Sequence, residues 1–378
     1  MSDPTVTNAP SLTPLASLTQ AAPHPPRLVE RHGVQTPEAF EPLPREITAL
    51  AHSAAVFGMG WMRRVAVRGE DRFRWLSGMV TNTVNDLGRQ SGTWNFVLNP
   101  QGRILGDLYV WREGDELTLE IAGDQLERLL AHFEHFIIMD DVELVRLGEK
   151  LGAEETALGL VGPEAAEVLE RMGLQGQVEP MTSLRREWNG RNLVIQRGYG
   201  ALVPHFTIWT PVARLEKLWH SFSTAGALSV GAASVEAFRV AEGTPTYGVD
   251  IAERDLPQET SQMRTLHFNK GCYLGQEIVE RIRSRGNVHR HLRQLEMDGP
   301  LPPAGTELNM ASIENEQGQK EKVAGNFTSA TELPLESGNR RFAIAMMRGD
   351  AEALHKPMTY RTESGKGSAW LLDGPPIF

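Results

Sequence analysis

The most informative stretch of the sequence spans residues 270–277 and reads Lys270-Gly271-Cys272-Tyr273-Leu274-Gly275-Gln276-Glu277. Two glycines in it bracket a tight loop that contains the single cysteine of the 378-residue chain. Lys270 lies close enough along the chain to favour the thiolate of Cys272, and a helix N-terminus here would favour it further. The pattern indicates either a functional thiol or a small buried cysteine in a glycine turn.

The composition limits the classes of function. The formal net charge is −10, which argues against a surface built to bind nucleic-acid phosphates. One cysteine excludes an intramolecular disulfide and a Cys-x-x-Cys metal site, and it suits a reducing compartment. No apolar run reaches the roughly 18 residues of a membrane span. No Lys or Arg precedes Arg27, so a transit peptide is not expected. We expect a cytoplasmic protein without membrane binding.

The terminal regions of the chain differ in pattern from its middle. Residues 1–45 are rich in proline, serine, threonine and alanine, which predicts a tail that is disordered or lies extended over the fold. Residues 291–378 contain short alternating segments separated by Gly, Pro, Asn and Ser. They predict a small β-barrel or sandwich.

The middle of the chain suggests an internal duplication. Residues 46–150 and 151–290 both show a strand, a glycine turn and a helix. In each block an acidic residue follows the glycine by two positions and a leucine follows it by seven: Gly69, Asp71 and Leu76, then Gly162, Glu164 and Leu169. We infer a duplicated α+β unit, and chance recurrence of so short a match is the alternative.

The octapeptide and its flanks resemble the YgfZ-type folate-binding family of the glycine-cleavage T-protein superfamily. Lys-Gly-Cys-Tyr-x-Gly-Gln-Glu is the hallmark of that family. The Arg-x-x-x-Gly-x-Pro strand from Arg239, the Leu-Pro-Gln-Glu loop at 256–259 and the Arg-rich strand after the motif are similar as well. The resemblance covers residues 47–350. It implies a T-protein-like fold with duplicated ferredoxin-like α+β units and a C-terminal small β-barrel around a central folate channel.

Three functions follow as expectations. The resemblance implies a tetrahydrofolate-binding accessory factor that supports assembly or repair of iron–sulfur clusters in client enzymes, with an indirect effect on tRNA modification and with Cys272 as the functional thiol. Its partners would be iron–sulfur client or assembly proteins. The alternative is a folate-dependent aminomethyltransferase or methyltransferase. The third is an RNA-binding module that uses basic residues after the motif, and the acidic net charge argues against it.

Two superfamily positions are altered in this chain. An acidic pair that includes a catalytic aspartate is represented by Gly106 and Asp107, so Asp107 is a catalytic or folate-contacting candidate, or it merely ends a hairpin strand. The pterin-anchoring glutamate of Arg-Leu-Glu-x-Gly is replaced by Ala241, next to Glu242. In a strand these two side chains would point to opposite faces. Either a bulge turns Glu242 inward, or Asp250 or Glu259 replaces it, or pterin affinity is reduced.

The other candidate ligand contacts lie in the motif and just after it: Lys270, Tyr273, Gln276, Glu277 and Arg283. Arg281, Arg283 and Arg285 alternate, so as a strand they would share one face. That face would attract the glutamate tail of a folate or an RNA, or it is simply solvated. The histidines near the motif lack a metal-ligand spacing with Cys272, and no metal site is expected.

Overall fold

The structure is a computed structural model that describes residues 10–148, 154–174, 179–286, 288–310 and 322–378. The helices are α1 (Pro14–Gln20), α2 (Leu43–His52), α3 (Arg72–Met79), α4 (Gly123–His135), α5 (Ala165–Arg171), α6 (Leu215–Thr224), α7 (Ala232–Ala241), α8 (Gln276–Arg285) and α9 (Gly349–Glu352).

The strands of the first half are β1 (Ser11–Leu12), β2 (Leu28–Arg31), β3 (Val34–Pro37), β4 (Ala55–Gly58), β5 (Met62–Arg68), β6 (Ser91–Leu98), β7 (Ile104–Glu113), β8 (Glu116–Ala122), β9 (Glu143–Leu147) and β10 (Glu155–Val161). Those of the second half are β11 (Thr182–Trp188), β12 (Arg191–Arg197), β13 (His205–Pro211), β14 (Leu228–Ser229), β15 (Arg290–Asp298), β16 (Glu307–Met310), β17 (Val323–Leu335), β18 (Gly338–Arg348), β19 (Met358–Thr362) and β20 (Gly365–Leu371).

One eleven-stranded sheet contains both predicted units. Its strand order is β14-β4-β10-β13-β12-β11-β6-β7-β8-β5-β9. The first unit runs β5-α3-β6-β7-β8-α4-β9 along the chain, and the second repeats this order as β10-α5-β11-β12-β13-α6-β14. The two units join where β11 pairs with β6 at Thr182 and Ser91. This topology agrees with the predicted duplication.

The repeated glycine has the same physical role in both units. Gly69 and Gly162 both have positive φ, +97° and +129°, and a Cβ on either would meet a backbone oxygen at 1.9 Å and 2.3 Å. The turn after each glycine donates a backbone hydrogen bond, from Asp71 N to Asp141 O and from Glu164 N to Ser53 O. Only glycine fits such a close approach with this backbone conformation.

Each unit covers one face of its sheet with its two helices. In the first unit, side chains from β5, β7 and β8 pack on α3 and α4 through residues such as Leu76, Leu108 and Phe133. In the second, strand side chains pack on α5 and α6 through residues such as Leu169 and Phe222. The opposite face of the sheet, called the inner face below, carries the polar and aromatic side chains of β6, β7 and β8, because neighbouring residues of a strand point to opposite sides.

Residues 10–45, for which the composition predicts a disordered or extended tail, instead carry α1 and a small sheet of order β1-β3-β2. The helix has a capping Thr13, whose side chain accepts a hydrogen bond from Ala16 N at 3.2 Å. Leu15 and Ala16 are buried against the second unit, where Leu15 packs. The composition did not predict this order because the segment has few apolar residues, and those that stabilise it, such as Leu15, pack on a folded unit distant in sequence. Residues 1–9 lie outside the described residues.

The C-terminal strands form a closed barrel in the order β15-β18-β17-β16-β19-β20. Its interior is filled by apolar side chains that include Phe327, Ala343 and Tyr360. The α+β fold class with a small C-terminal barrel is therefore confirmed. No helix in the described ranges is both long and apolar enough to cross a bilayer.

Candidate active site on the inner sheet face

Asp107 lies on the inner face of β7 and is held by two neighbours. Trp94 Nε1 donates a hydrogen bond to Asp107 Oδ2 at 2.9 Å. Gln125 of α4 donates to Asp107 Oδ1 at 2.9 Å and accepts from Asp107 N at 3.0 Å. Asp107 is half-buried, and removal of its carboxyl from solvent raises its pKa, because burial disfavours the charged form. The arrangement orients a carboxyl that binds a proton more readily than an ordinary aspartate does.

Gly106, the other member of the altered acidic pair, faces the helix layer rather than the inner face. A Cβ at this position would meet Gln125 Oε1 at 2.6 Å and Leu129 Cδ2 at 3.0 Å. The glycine therefore lets α4 approach β7 closely enough for Gln125 to orient Asp107.

A row of aromatic rings continues from Asp107 along the inner face. Tyr109 lies opposite Trp94 in the β6–β7 pairing, with ring centroids 6.1 Å apart and planes 14° apart. Trp111 follows Tyr109 at 6.4 Å and 17°. The guanidinium of Arg264 lies 5.2 Å from the centroid of Trp94 and 4.6 Å from that of Tyr199. The site thus combines an oriented carboxyl with flat apolar surfaces and one cation.

A cavity of about 360 Å³, within the range of small-molecule pockets, is lined in part by Asp124, the neighbour of Gln125 in α4. Its walls include Arg31, His32, Asp124 and Tyr247. His32 Nδ1 and the Asp124 carboxylate are 3.1 Å apart. A charge on either side chain acts on the pKa of Asp107, which protonated His32 lowers and Asp124 raises. The cavity and Asp107 therefore belong to one electrostatic environment.

The stretch from Arg239 to Ala241 is the end of helix α7 and not a strand. Ala241 is fully buried in the core, and Glu242 caps the helix. The Glu242 carboxylate accepts from Leu202 N at 3.2 Å and lies 2.9 Å from His205 Nε2. A strand bulge that turns Glu242 inward is therefore not needed, and the carboxylate already has two partners.

Asp250 and Glu259, the alternative pterin anchors, both hold the barrel in place. Asp250 pairs with Arg239 and accepts hydrogen bonds from Thr328 and Ser329 of β17, both at 2.6 Å. Glu259 accepts from Leu256 N and from Arg290 of β15 at 2.9 Å. Both carboxylates are buried, and their hydrogen-bonding capacity serves the contacts between these loops and the barrel.

Lys270 fastens the motif to the end of helix α3. Its Nζ donates to the carbonyl oxygens of Ser77, Val80 and Asn82 at 2.7, 2.6 and 2.7 Å, which uses all three donors of an ammonium. Burial lowers the pKa of Lys270 to about 7. The expectation that Lys270 promotes the thiolate of Cys272 gains no support from these contacts.

The rest of the motif packs on the β6–β7 turn. Gly275 has φ +79°, and a Cβ there would meet Asn99 O at 2.6 Å and Gly102 Cα at 3.0 Å. Leu274 N donates to Gly78 O at 2.9 Å. Tyr273 is buried, and its N–H donates to Gln276 Oε1 at 3.3 Å. These residues fix the loop.

Three predicted contacts are exposed or lie on a helix. Cys272 is exposed, and so is Glu277 in the first turn of α8. Residues 276–285 form helix α8 rather than a strand. Residues two positions apart in a helix are rotated by about 200° around its axis, so alternating arginines do not share one face. Exposed Arg283 pairs with Glu280 at 3.4 Å and lies 4.4 Å from the ring of Phe268.

Five side chains of the site were not predicted as site residues from the sequence: Trp94, Tyr109, Gln125, Tyr199 and Arg264. Alternation along β7 was the available signal, because Asp107, Tyr109 and Trp111 must share a face. No local pattern could identify Tyr199 and Arg264, which reach the site from distant segments. In the part of the chain that the structure describes, no three His, Cys, Asp or Glu side chains are grouped to hold a metal ion.

Comparisons with known proteins agree with this architecture. A family model described as the GCVT N-terminal domain matches residues 20–270. An aminomethyltransferase of Rubrobacter xylanophilus is 27% identical over 278 residues, which is 72% of this chain and 73% of that protein. An aminomethyltransferase of a Nostoc species is 23% identical over 323 residues, 82% of this chain and 81% of that protein.

A solved structure is similar in fold. The crystal structure of the glycine cleavage system aminomethyltransferase T from Bartonella henselae superposes with a TM-score of 0.80. The match covers 97% of this chain and 98% of that one at 20% identity.

Proposed function

The chain belongs to the GCVT N-terminal domain family, and we propose that it binds tetrahydrofolate at Asp107 and transfers a one-carbon unit between an aminomethyl donor and this ligand. The observation that carries the proposal is the oriented carboxyl of Asp107, with its raised pKa, beside the aromatic row. The names of the relatives agree with the aminomethyltransferase expectation better than with iron–sulfur maintenance.

The residues present fit tetrahydrofolate in three respects. Trp94 and Tyr109 offer flat apolar surfaces of the kind on which heteroaromatic rings stack. Asp107 uses one hydrogen bond on each oxygen, so lone pairs remain for the N–H groups of a pterin. Arg264 Nε is buried and has no partner among the described residues, and it suits an anionic group. When bound, tetrahydrofolate would supply the nitrogen atoms that accept the one-carbon unit, while the amino group of the aminomethyl donor leaves as ammonia and the rest of the donor is released.

Asp107 would act on protons in this reaction. Because burial raises its pKa, the Asp107 carboxyl binds a proton more readily than an ordinary aspartate does, which favours general acid–base catalysis at a ligand nitrogen. Trp94 and Gln125 keep the carboxyl in one orientation through the reaction. Water is excluded from the side of the carboxyl that faces the sheet by Trp94, Tyr109 and the buried strands around them.

The test compares wild type with Asp107→Asn and with Asp86→Asn, which changes an exposed aspartate on the same unit. Tetrahydrofolate binding is measured by calorimetry and methylene-tetrahydrofolate formation by absorbance, with an aminomethyl donor. We expect kcat to fall by about 10²-fold or more in Asp107→Asn, with Asp86→Asn unchanged. A wild type that binds tetrahydrofolate but never turns over rules out the transferase; a wild type that does not bind it rules out the folate site.

One observation favours a second function. In this alternative the chain would belong to a YgfZ-type branch and would support iron–sulfur clusters in client proteins. The structure exposes Cys272 on a loop whose neighbours Lys270 and Gly275 are fixed by packing. A single thiol can at most complete a cluster that a partner also binds. Complementation of a strain that lacks a relative tests this function. Cys272→Ser should fail to restore the activity of iron–sulfur enzymes, and full rescue by this variant would remove the thiol from the mechanism.

A further inference from the structure

Arg264 occupies the place where a flat ligand would stack. Its guanidinium lies between Trp94 and Tyr199, 5.2 Å and 4.6 Å from their ring centroids. The other neighbour of Trp94 in the aromatic row is Tyr109, whose ring is nearly parallel to it. A heterocycle that approaches Trp94 from the side of Arg264 must therefore displace the guanidinium.

The backbone of Arg264 is fixed, whereas its side chain is weakly held. Arg264 lies in a short 3-10 turn, Met263–Thr265, and its carbonyl accepts from Asn82 Nδ2 at 2.9 Å. The side chain donates through Nη2 to Gln262 Oε1, a neutral amide, at 2.9 Å. Its Nε is buried with no partner in the described residues. Rotation of the side chain therefore breaks a contact to a neutral group and two ring contacts.

A displaced guanidinium stays charged. Arg264 is half-buried and its Nε has no partner in the described part of the chain, so an anionic group beside it would gain a charge-assisted hydrogen bond. A carboxylate is the best partner, since it accepts two parallel hydrogen bonds from the guanidinium. A flat ligand without an anionic group would displace the guanidinium from Trp94 and leave Arg264 unpaired. A flat ligand with a carboxylate would displace the guanidinium from Trp94 and also pair with it.

We propose that Arg264 is a specificity-determining residue that admits flat ligands only when they carry a carboxylate, so the site binds folates with their glutamyl group and rejects bare pterins. This inference rests on the proposed folate site. It assigns to Arg264 the attraction of the glutamate tail that the sequence pattern suggested for the arginines of residues 281–285, which lie on α8 instead.

The test measures the dissociation constants of tetrahydrofolate and of neutral 6-methyltetrahydropterin for wild type, Arg264→Ala and Arg264→Gln. Wild type should prefer tetrahydrofolate strongly. In Arg264→Ala the pterin gains access to Trp94 while tetrahydrofolate loses its carboxylate partner, so the ratio of the two constants should fall at least tenfold. In Arg264→Gln, a planar but uncharged replacement, the ratio should also fall. This variant provides the test if the alanine variant does not fold. Arg281→Ala, an exposed arginine on α8, is the matched control.

The outcomes separate this inference from the proposed function. A wild type that binds neither ligand removes the folate site, and the role of Arg264 with it. A wild type that binds tetrahydrofolate, with a ratio unchanged in both Arg264 variants, overturns the role of Arg264 alone. Equal weakening of both ligands also overturns it, because Arg264 would then only support the fold of the site.

Discussion

The two α+β units share one topology, but the oriented carboxyl of Asp107 and the row of aromatic rings beside it lie on the first. On the helix-facing side both units pack in the same way, with Leu76 and Leu169 at equivalent positions in buried clusters. On the inner face they differ. Strand β7 presents Asp107, Tyr109 and Trp111, whereas the equivalent β12 presents Val194 and Gln196. The side of the sheet that packs on the helices is constrained by its core, whereas the inner face carries different side chains in the two units.

The ends of the equivalent helices α3 and α5 show the same divergence. Helix α5 ends with Gly173 at φ +73°, and Leu174 N donates to Leu169 O at 2.9 Å, which is a glycine cap made within the unit. Helix α3 ends without such a glycine, and the ammonium of Lys270 binds its carbonyls instead. The second unit stabilises its own helix end, while the first depends on the motif at residues 270–277.

The strongest test of the equivalence of the units is the glycine that both retain. Gly69→Ala and Gly162→Ala should each destabilise the fold by about 4 kcal/mol, because a Cβ would overlap a backbone oxygen in a conformation that only glycine adopts easily. Denaturation by urea, followed by circular dichroism, measures the effect. Gly190→Ala is the control: its φ is +75° but the space around it is open, so it should cost about 1 kcal/mol. Tolerance of one substitution but not the other would contradict the structural equivalence of the turns.

The dependence of the first unit on the motif predicts the next largest effect. Lys270→Met should cost about 3 kcal/mol, since three carbonyls lose a charged donor. Gly173→Ala, at the self-capped end of α5, should cost only about 1 kcal/mol. The same urea denaturation measures both. Equal costs would mean that the two helix ends do not differ in how they are stabilised.

The pH dependence of Lys270→Met sharpens this point. Burial lowers the pKa of Lys270 to about 7, below the roughly 10.4 of an unfolded lysine. Between these values the unfolded chain binds more protons than the folded one, so wild type should gain stability relative to the variant as pH rises from 7 to 10. A difference that stays constant over this range would mean that the three carbonyls keep the ammonium charged throughout.

The difference between the two faces explains what the sequence could predict. The repeated turn at Gly69 and Gly162 could be predicted from the sequence, because turns and helix packing fix the spacing between nearby residues. Asp107 was found through the resemblance alone. The row of Trp94 and Tyr109 was missed because alternation defines a face without saying what lies opposite it. Arg264 was missed because its contact with Trp94 joins segments 170 residues apart in the chain.

Two segments were assigned to strands from short motifs, and both are helices. In α8, Val279 is buried and the nearby Ile282 is half-buried, and this three-residue spacing is typical of a helix face. The alternating arginines of 281–285 obscured it. In α7, residues 237–241 are all buried, so no one-sided period distinguishes a helix from a strand there. The motif resemblance identified the residues, but it gave no information about the backbone conformation.

The smallest expected effect concerns the buried contact that joins the inner faces of the two units. Glu120 of β8 accepts from Trp209 Nε1 of β13 at 2.7 Å, and Arg64 lies over the Trp209 ring at 5.1 Å. Burial raises the pKa of Glu120 to about 7. From the ordinary glutamate value up to pH 7 the folded state binds more protons than the unfolded one, so wild type should lose stability as pH rises through this interval.

Glu120→Gln removes this titration while it keeps an oxygen for Trp209, so the variant should be more stable than wild type above pH 7 by about 2 kcal/mol and should match it near pH 4.5. Glu187→Gln, at an exposed position of β11, is the control for charge removal. Melting temperatures across pH 4.5–8 measure the difference. A variant that is less stable at every pH would show that the Arg64–Glu120 attraction outweighs the burial of the charge, and that the units are joined by an ion pair rather than by a protonated acid.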